Sequence, residues 1–193
     1  MLAHDDRHRV TGFQNEASVW NFHVWNDNGL LASFTDGLGH ATQNQYDLMD
    51  RLIGVTDPLG NTLTIARDGL GRATGVTDRS GRTTSRIYDG LGRLVGVTDP
   101  GGSQTQYAYD ADSRLLSKTD PLSQTRSWAW DFFDRITMST DALGVEEQYS
   151  YDVMDRVTSI IGPLSYNRSM SYDARGFLTL YQAAFAQIGL QRH

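Results

Sequence analysis

Short runs in which apolar or β-branched residues alternate with polar ones fill most of this chain, and turn residues interrupt them at fixed intervals. Asp47-Leu48-Met49-Asp50 and Asp57-Pro58-Leu59-Gly60 bracket the six residues 51–56, and the seven residues 61–67 lead on to Asp68. Aspartate at the first position of a turn accepts from the backbone two residues on, proline at the second presets φ, and glycine at the fourth tolerates the left-handed conformation. Such loops close hairpins. Ile53, Val55, Thr56, Thr62, Thr64 and Ile65 are β-branched, and all four prolines stand in the second turn, outside the strand segments. Six or seven residues between turns are too few for helices. The pattern predicts an all-β repeat protein, a continuous antiparallel meander with turns at 47–50, 57–60, 68–71, 78–81, 89–92, 99–102, 110–113, 120–123, 131–134, 141–144 and 152–155.

The period is strict. Asp47, Asp68, Asp89, Asp110, Asp131, Asp152 and Asp173 follow one another at 21-residue steps, the mark of an array whose units pack mainly on their neighbours. An aromatic residue precedes nearly every one: Tyr46, Tyr88, Tyr109, Trp130, Tyr151 and Tyr172, with Arg67 as the break. Four residues after the aspartate comes an arginine, at Arg51, Arg72, Arg93, Arg114, Arg135 and Arg156, and the second turn opens on Asp57, Asp78, Asp99, Asp120 and Asp141. A degenerate register continues back through Trp25-Asn26 to His4-Asp5 and Arg9, so about nine units make an array over 1–180. Residues 181–193 form a divergent tail. Tyr181, Ala184, Phe185 and Ile188 have helical spacing there, which points to a short helix or a disordered end. If Tyr46 pairs with Arg51 across the first turn, Tyr46, Arg51, Ile53 and Val55 share one face, and Gln45, Leu52, Gly54 and Thr56 the other; a one-residue bulge would swap them. The Tyr, Asp and Arg columns read as a structural ladder, with each arginine beside the turn aspartate or the tyrosine of its own or a neighbouring unit.

A net charge of −6 and a single lysine leave no basic stripe for phosphates, which argues against nucleic-acid binding. No apolar run approaches the roughly 18 residues of a spanning helix, and the start, MLAHDDRHRV, lacks the apolar core of a signal peptide. Without cysteine there are neither disulfides nor thiolate metal sites. His4-Asp5-Asp6-x-His8 falls on the repeat columns and reads as drift, while His23 and His40 have no partner at ligand spacing. Asp110 and Asp112 read as turn caps rather than calcium ligands. Catalytic carboxylates must differ in environment, yet these acids recur in equivalent surroundings, so no catalytic residue, cofactor or metal site is expected. Trp128 and Trp130 alternate with Tyr107, Tyr109, Tyr149 and Tyr151 on one face, which leaves a carbohydrate- or partner-binding surface as an alternative.

Tyr-Asp-x-x-Gly-Arg-Leu at 88–94, Val-Thr-Asp-Pro-x-Gly at 97–102 and Thr-x-Tyr-x-Tyr-Asp at 105–110 resemble the YD repeat of the Rhs family, also found in C subunits of insecticidal toxin complexes and in teneurins. The resemblance covers about residues 4–177. It implies a spiralling antiparallel β-hairpin sheet that closes, with further YD repeats, into a hollow shell around a C-terminal toxin or effector, in a secreted or cell-surface protein. The self-cleaving segment of cargo-releasing shells has no counterpart after Tyr172-Asp173, so no aspartate is assigned a proteolytic role. Eighteen strands at about 4.8 Å give a ribbon of roughly 86 Å, whereas a belt around a 100-residue cargo needs about 107 Å. The expectation is therefore a partial shell, or else a truncated copy. Unpaired strands near 10–14 and 178–182 would make the isolated chain self-associate.

Overall fold

The computed structural model describes residues 1–14, 19–163 and 166–184. It is all-β, and no α-helix occurs among the described residues. The strands are β1 (Leu2–His4), β2 (Val10–Gln14), β3 (Trp20–Trp25), β4 (Leu31–Thr35), β5 (Ala41–Tyr46), β6 (Leu52–Thr56), β7 (Thr62–Arg67), β8 (Ala73–Thr77), β9 (Thr83–Tyr88), β10 (Leu94–Thr98), β11 (Gln104–Tyr109), β12 (Leu115–Thr119), β13 (Thr125–Trp130), β14 (Ile136–Thr140), β15 (Glu146–Tyr151), β16 (Val157–Ile161), β17 (Asn167–Tyr172) and β18 (Leu178–Ala184). Two compact units contain them, one comprising Met1–Ile87 with Val97–Gly102, the other Tyr88–Gly96 with Ser103–His193. In the first, each strand from β1 to β9 pairs antiparallel with the next. In the second, β11 to β18 do the same.

All eleven predicted turns are present. In each, the N–H of the fourth residue donates to the carbonyl of the first, as from Gly92 to Asp89 at 3.0 Å and from Gly144 to Asp141 at 3.0 Å. The fourth residue is left-handed even where it is not glycine: φ is 62° at Asp50, 70° at Ser113, 62° at Ser123, 60° at Asp134 and 62° at Asp155. Short polar side chains tolerate this conformation better than most others. The same turn reaches the N-terminus, where His8 N–H donates to the Asp5 carbonyl at 3.0 Å and His8 has φ 61°.

The first-turn register differs from the simple expectation. Tyr46 pairs with Leu52, not Arg51; Gln45 pairs with Gly54, and Ile53 is the extra residue of a β-bulge. The turn itself is the cause. Asp47 N–H donates to the Arg51 carbonyl at 3.0 Å, so Arg51 closes a three-residue loop opposite Asp47 and is unavailable to Tyr46. Tyr46, Leu52, Val55 and Leu63 consequently share one face, and Gln45, Gly54 and Thr64 the other. The same shift recurs at β7–β8, β11–β12, β13–β14, β15–β16 and β17–β18.

Two further expectations change. Residues 10–14 are not an unpaired edge, because β1 folds back on them with Leu2 opposite Phe13. At the other end β18 stays paired with β17 as far as Ala184 opposite Asn167, so Tyr181 and Ala184 are strand rather than helix. Six consecutive partners on β17 outweigh a weak helical spacing. Phe185 and Ile188 lie outside the described residues. Among the described residues no helix is long and apolar enough to cross a membrane.

No hydrophobic side chain among them is fully enclosed, while Leu48, Leu59, Phe132, Leu143 and Val153 stand exposed on the turns. Stability must come from cross-strand contacts and hydrogen bonds rather than from a sealed core.

Candidate functional site: the ladder between repeats

Each first-turn aspartate followed four residues on by an arginine uses both carboxylate oxygens. Asp110 Oδ1 accepts from the N–H of Asp112 at 3.0 Å and of Arg114 at 2.9 Å, and its Oδ2 accepts from Arg114 Nε at 2.7 Å. Asp47 with Arg51, Asp68 with Arg72, Asp89 with Arg93, Asp131 with Arg135 and Asp152 with Arg156 repeat the arrangement, with the Nε bond between 2.6 and 2.8 Å. Asp5 and Arg9 repeat it at 2.7 Å. Asp173, followed by Phe177 instead of arginine, keeps only the backbone bonds, from Arg175 and Phe177 N–H, both at 2.9 Å.

The arginine then reaches forward. Arg93 Nη1 donates to the Asp110 carbonyl at 2.7 Å, Arg114 to that of Asp131 at 2.7 Å, Arg135 to that of Asp152 at 3.4 Å and Arg156 to that of Asp173 at 3.2 Å. Its guanidinium also lies over the next aromatic ring, 4.9 Å from Tyr109 for Arg93, 4.6 Å from Tyr151 for Arg135 and 4.7 Å from Tyr172 for Arg156. The aromatic residue reaches backward. The hydroxyls of Tyr46, Tyr109, Tyr151 and Tyr172 donate to the carbonyls of Leu31, Leu94, Ile136 and Val157 at 3.0, 3.0, 2.6 and 2.9 Å, and Trp130 Nε1 donates to that of Leu115 at 2.9 Å. Tyr88 ends β9, one residue before Asp89.

Two contributors escape sequence reading. Arg67 breaks the aromatic column by type but fills its role, since Nη2 donates to the Leu52 carbonyl at 3.0 Å, the same 15-residue step that the tyrosines span. The fourth turn residue is the other: Ser113 Oγ, Asp134 Oδ1 and Asp155 Oδ1 accept from Arg93, Arg114 and Arg135 at 3.3, 2.9 and 2.7 Å. A polar residue in place of glycine is the only signal for this in the sequence.

Second turns use the cap without the forward-reaching arginine bond to the next turn's carbonyl; one inter-repeat contact among them is the ion pair of Arg79 Nε with Asp57 Oδ2 at 3.5 Å. Asp120 accepts from Leu122 and Gln124 N–H, each at 2.9 Å, and Asp141 from Leu143 and Val145 N–H, each at 2.9 Å. Asp99 accepts from Gly101 at 2.8 Å. Asp57 accepts from Leu59 and Asn61 at 3.0 and 2.9 Å, and Asp78 adds Arg82 Nε at 2.8 Å.

These contacts set the acidities. The Arg51 guanidinium holds the Asp47 carboxyl below the usual carboxylate range against partial burial, and the Arg93 N–H leads the same effect at Asp89. At Asp68, Asp110, Asp131 and Asp152 burial is the largest influence and pushes upward, but the arginine's side-chain and backbone bonds together outweigh it. Carboxylates locked ionised in this way hold turns shut. They are poorly placed to exchange protons with a substrate near neutral pH. No group of three or more metal-ligating side chains gathers among the described residues.

Three comparisons place this geometry. No curated protein sequence matches the chain. Among solved structures, the crystal structure of TcdB2-TccC3 aligns with a TM-score of 0.52 at 13% identity, and that of TcdB2-TccC3-TEV with 0.51 at 14%; each alignment covers 93% of this chain and 12% of the other. The chain thus spans about an eighth of the length of those proteins, and at that identity the likeness concerns the fold. A sequence profile described as RHS Repeat matches residues 25–62, 67–104, 88–125 and 109–146, more than half of the chain. The ladder of Tyr, Asp and Arg is thus the three-dimensional form of a recurring sequence unit, and the chain belongs to the RHS repeat family.

Proposed function

We propose that this chain is a non-catalytic wall segment of a longer RHS-repeat shell that encloses a C-terminal toxin or effector outside the producing cell. The observation that carries the proposal is the regularity of the ladder: side chain after side chain is committed to the repeat before or after it, which suits a wall and leaves no equivalent group free for chemistry. The array is read as extending over 1–180, with 181–193 as a divergent tail. The family match and the fold shared with TcdB2-TccC3 support the reading.

A wall segment needs its neighbours. An exposed strand edge is a template for pairing, and β18 ends with Leu178, Leu180 and Tyr181 about half exposed. The test is size-exclusion chromatography with light scattering over a range of concentrations. The chain alone should self-associate, and extension by further in-register repeats, or Leu178→Lys with Leu180→Lys, should make it more monodisperse. A stable monomer of the unextended chain at high concentration argues against the wall.

A further inference from the structure

Lys118 and Arg126 stand directly opposite each other on β12 and β13. Both are exposed, and neither has an ion-pair or hydrogen-bond partner among the described residues. Facing like charges destabilise a sheet, and this chain has only one lysine and a net charge of −6. The lysine also departs from its column, which is Val97, Val76 and Val55 one, two and three periods earlier. The next charge on the same face behaves differently, for Glu147 is bound by Arg168 and accepts from the Tyr149 hydroxyl at 2.9 Å.

The unpaired cations adjoin an aromatic wall. Trp128 follows Arg126 by two residues and so shares its face, roughly 7 Å along the strand, and Tyr107 pairs with Lys118 from β11. Lys118, Arg126 and Trp128 line an open cavity of about 550 Å³ together with Asp120, Gln124 and Asp141, within the size range of small-molecule sites. Asp120 and Asp141 each use Oδ1 for their own turns, and their Oδ2 accepts no hydrogen bond among the described residues.

We infer that this cavity binds an acidic sugar, a uronate or related sugar acid, independently of any role of the chain as a wall. The carboxylate lies between Lys118 and Arg126 and relieves their repulsion, one face of the ring stacks on Trp128, and ring hydroxyls donate to the free oxygens of Asp120 and Asp141. A nucleotide or a heavily sulfated chain fits worse, since it brings several negative charges against those two aspartates and few hydroxyl donors to satisfy them.

Isothermal titration of the full chain with a galacturonate trisaccharide, its methyl ester, sodium acetate and AMP separates the terms. The trisaccharide should bind, the ester and acetate at least tenfold more weakly, and added salt should weaken binding. Lys118→Gln with Arg126→Gln should lower the affinity at least tenfold with an unchanged circular-dichroism spectrum. Trp128→Ala should remove binding, and Trp128→Phe should retain most of it. Lys118→Glu, which turns the repulsive pair into an attractive one, should raise the melting temperature while abolishing binding. Equal binding of the ester, AMP binding more tightly than the trisaccharide, full affinity in the double variant, no heat with the trisaccharide, or a lower melting temperature for Lys118→Glu each overturns the inference.

Discussion

In the hairpin closed by Asp110, the strands β11 and β12 meet through a bulge with Tyr109 opposite Leu115, and Arg114 reaches across to the carbonyl of Asp131 in the next repeat. The hairpin closed by Asp120, only ten residues later, has an unbroken register of Ser117 with Ser127, Lys118 with Arg126 and Thr119 with Thr125, the last pair joined by their hydroxyls at 2.8 Å. Both turns carry the same aspartate cap. The first fastens one repeat to the next, whereas the second closes only its own two strands. Equal turn chemistry therefore hides unequal structural duty, and mutation can expose the difference.

The largest effect should come from Trp130→Ala, which removes a half-buried ring and its bond to the Leu115 carbonyl. A loss of about 2 kcal/mol is expected, below the 3–5 kcal/mol typical of sealed cores, and urea unfolding followed by circular dichroism would measure it. A loss under a few tenths would show that the aromatic column is ornamental.

Asp110→Ala should lower the melting temperature more than Asp120→Ala, because only the first also strands an arginine. The first-turn carboxylates are ionised below their ordinary range in the folded chain, so the unfolded chain binds more protons there. Their contribution is complete above the unfolded value near pH 4 and is lost as pH falls through the lower folded value. Melting temperature against pH should be flat above about 5 and fall below 4 in the parent, with a shallower acid limb in Asp110→Ala. Equal losses from the two variants would erase the distinction between the turns.

Tyr109→Phe deletes one inter-repeat hydrogen bond and should cost about 1 kcal/mol, against a few tenths for Thr119→Val in the second hairpin; paired chemical denaturation curves would compare them. With the opposite sign, Ser123→Gly should stabilise by about 0.5 kcal/mol, since residue 123 has a φ of 62° and no forward-reaching arginine bonds to it. Ser113→Gly should gain less, because Ser113 accepts from Arg93.

Turn positions, strand lengths and the three columns were legible because Asp, Pro and Gly act locally and recur at one spacing. The bulge was not. Ile53, Leu116 and Thr158 occupy the extra position and look like ordinary strand residues, so nothing in their type marks the shift that moves Leu52 to the tyrosine face. The role of Arg67 was hidden for the opposite reason, since an arginine and a tyrosine that share no chemistry can deliver an N–H or O–H to the same carbonyl. Tyr181 misled because its helical spacing was weighed without the strand that lies beside it. The cation pair of Lys118 and Arg126 needed the register of the second hairpin, which eight residues of separation in sequence do not reveal.

The hydroxyl and arginine links span 15, 17 and 20 residues, each short of one period. A gene carrying this unit can therefore gain or lose whole copies by unequal crossing-over, and the ends joined at an in-phase cut meet the partners that they had before. A single-residue deletion inside a turn has no such protection, because it misplaces a hydroxyl on one side and a guanidinium on the other. Length in such proteins is inherited in steps of one repeat, and natural relatives should differ by multiples of about 21 residues far more often than by any other number.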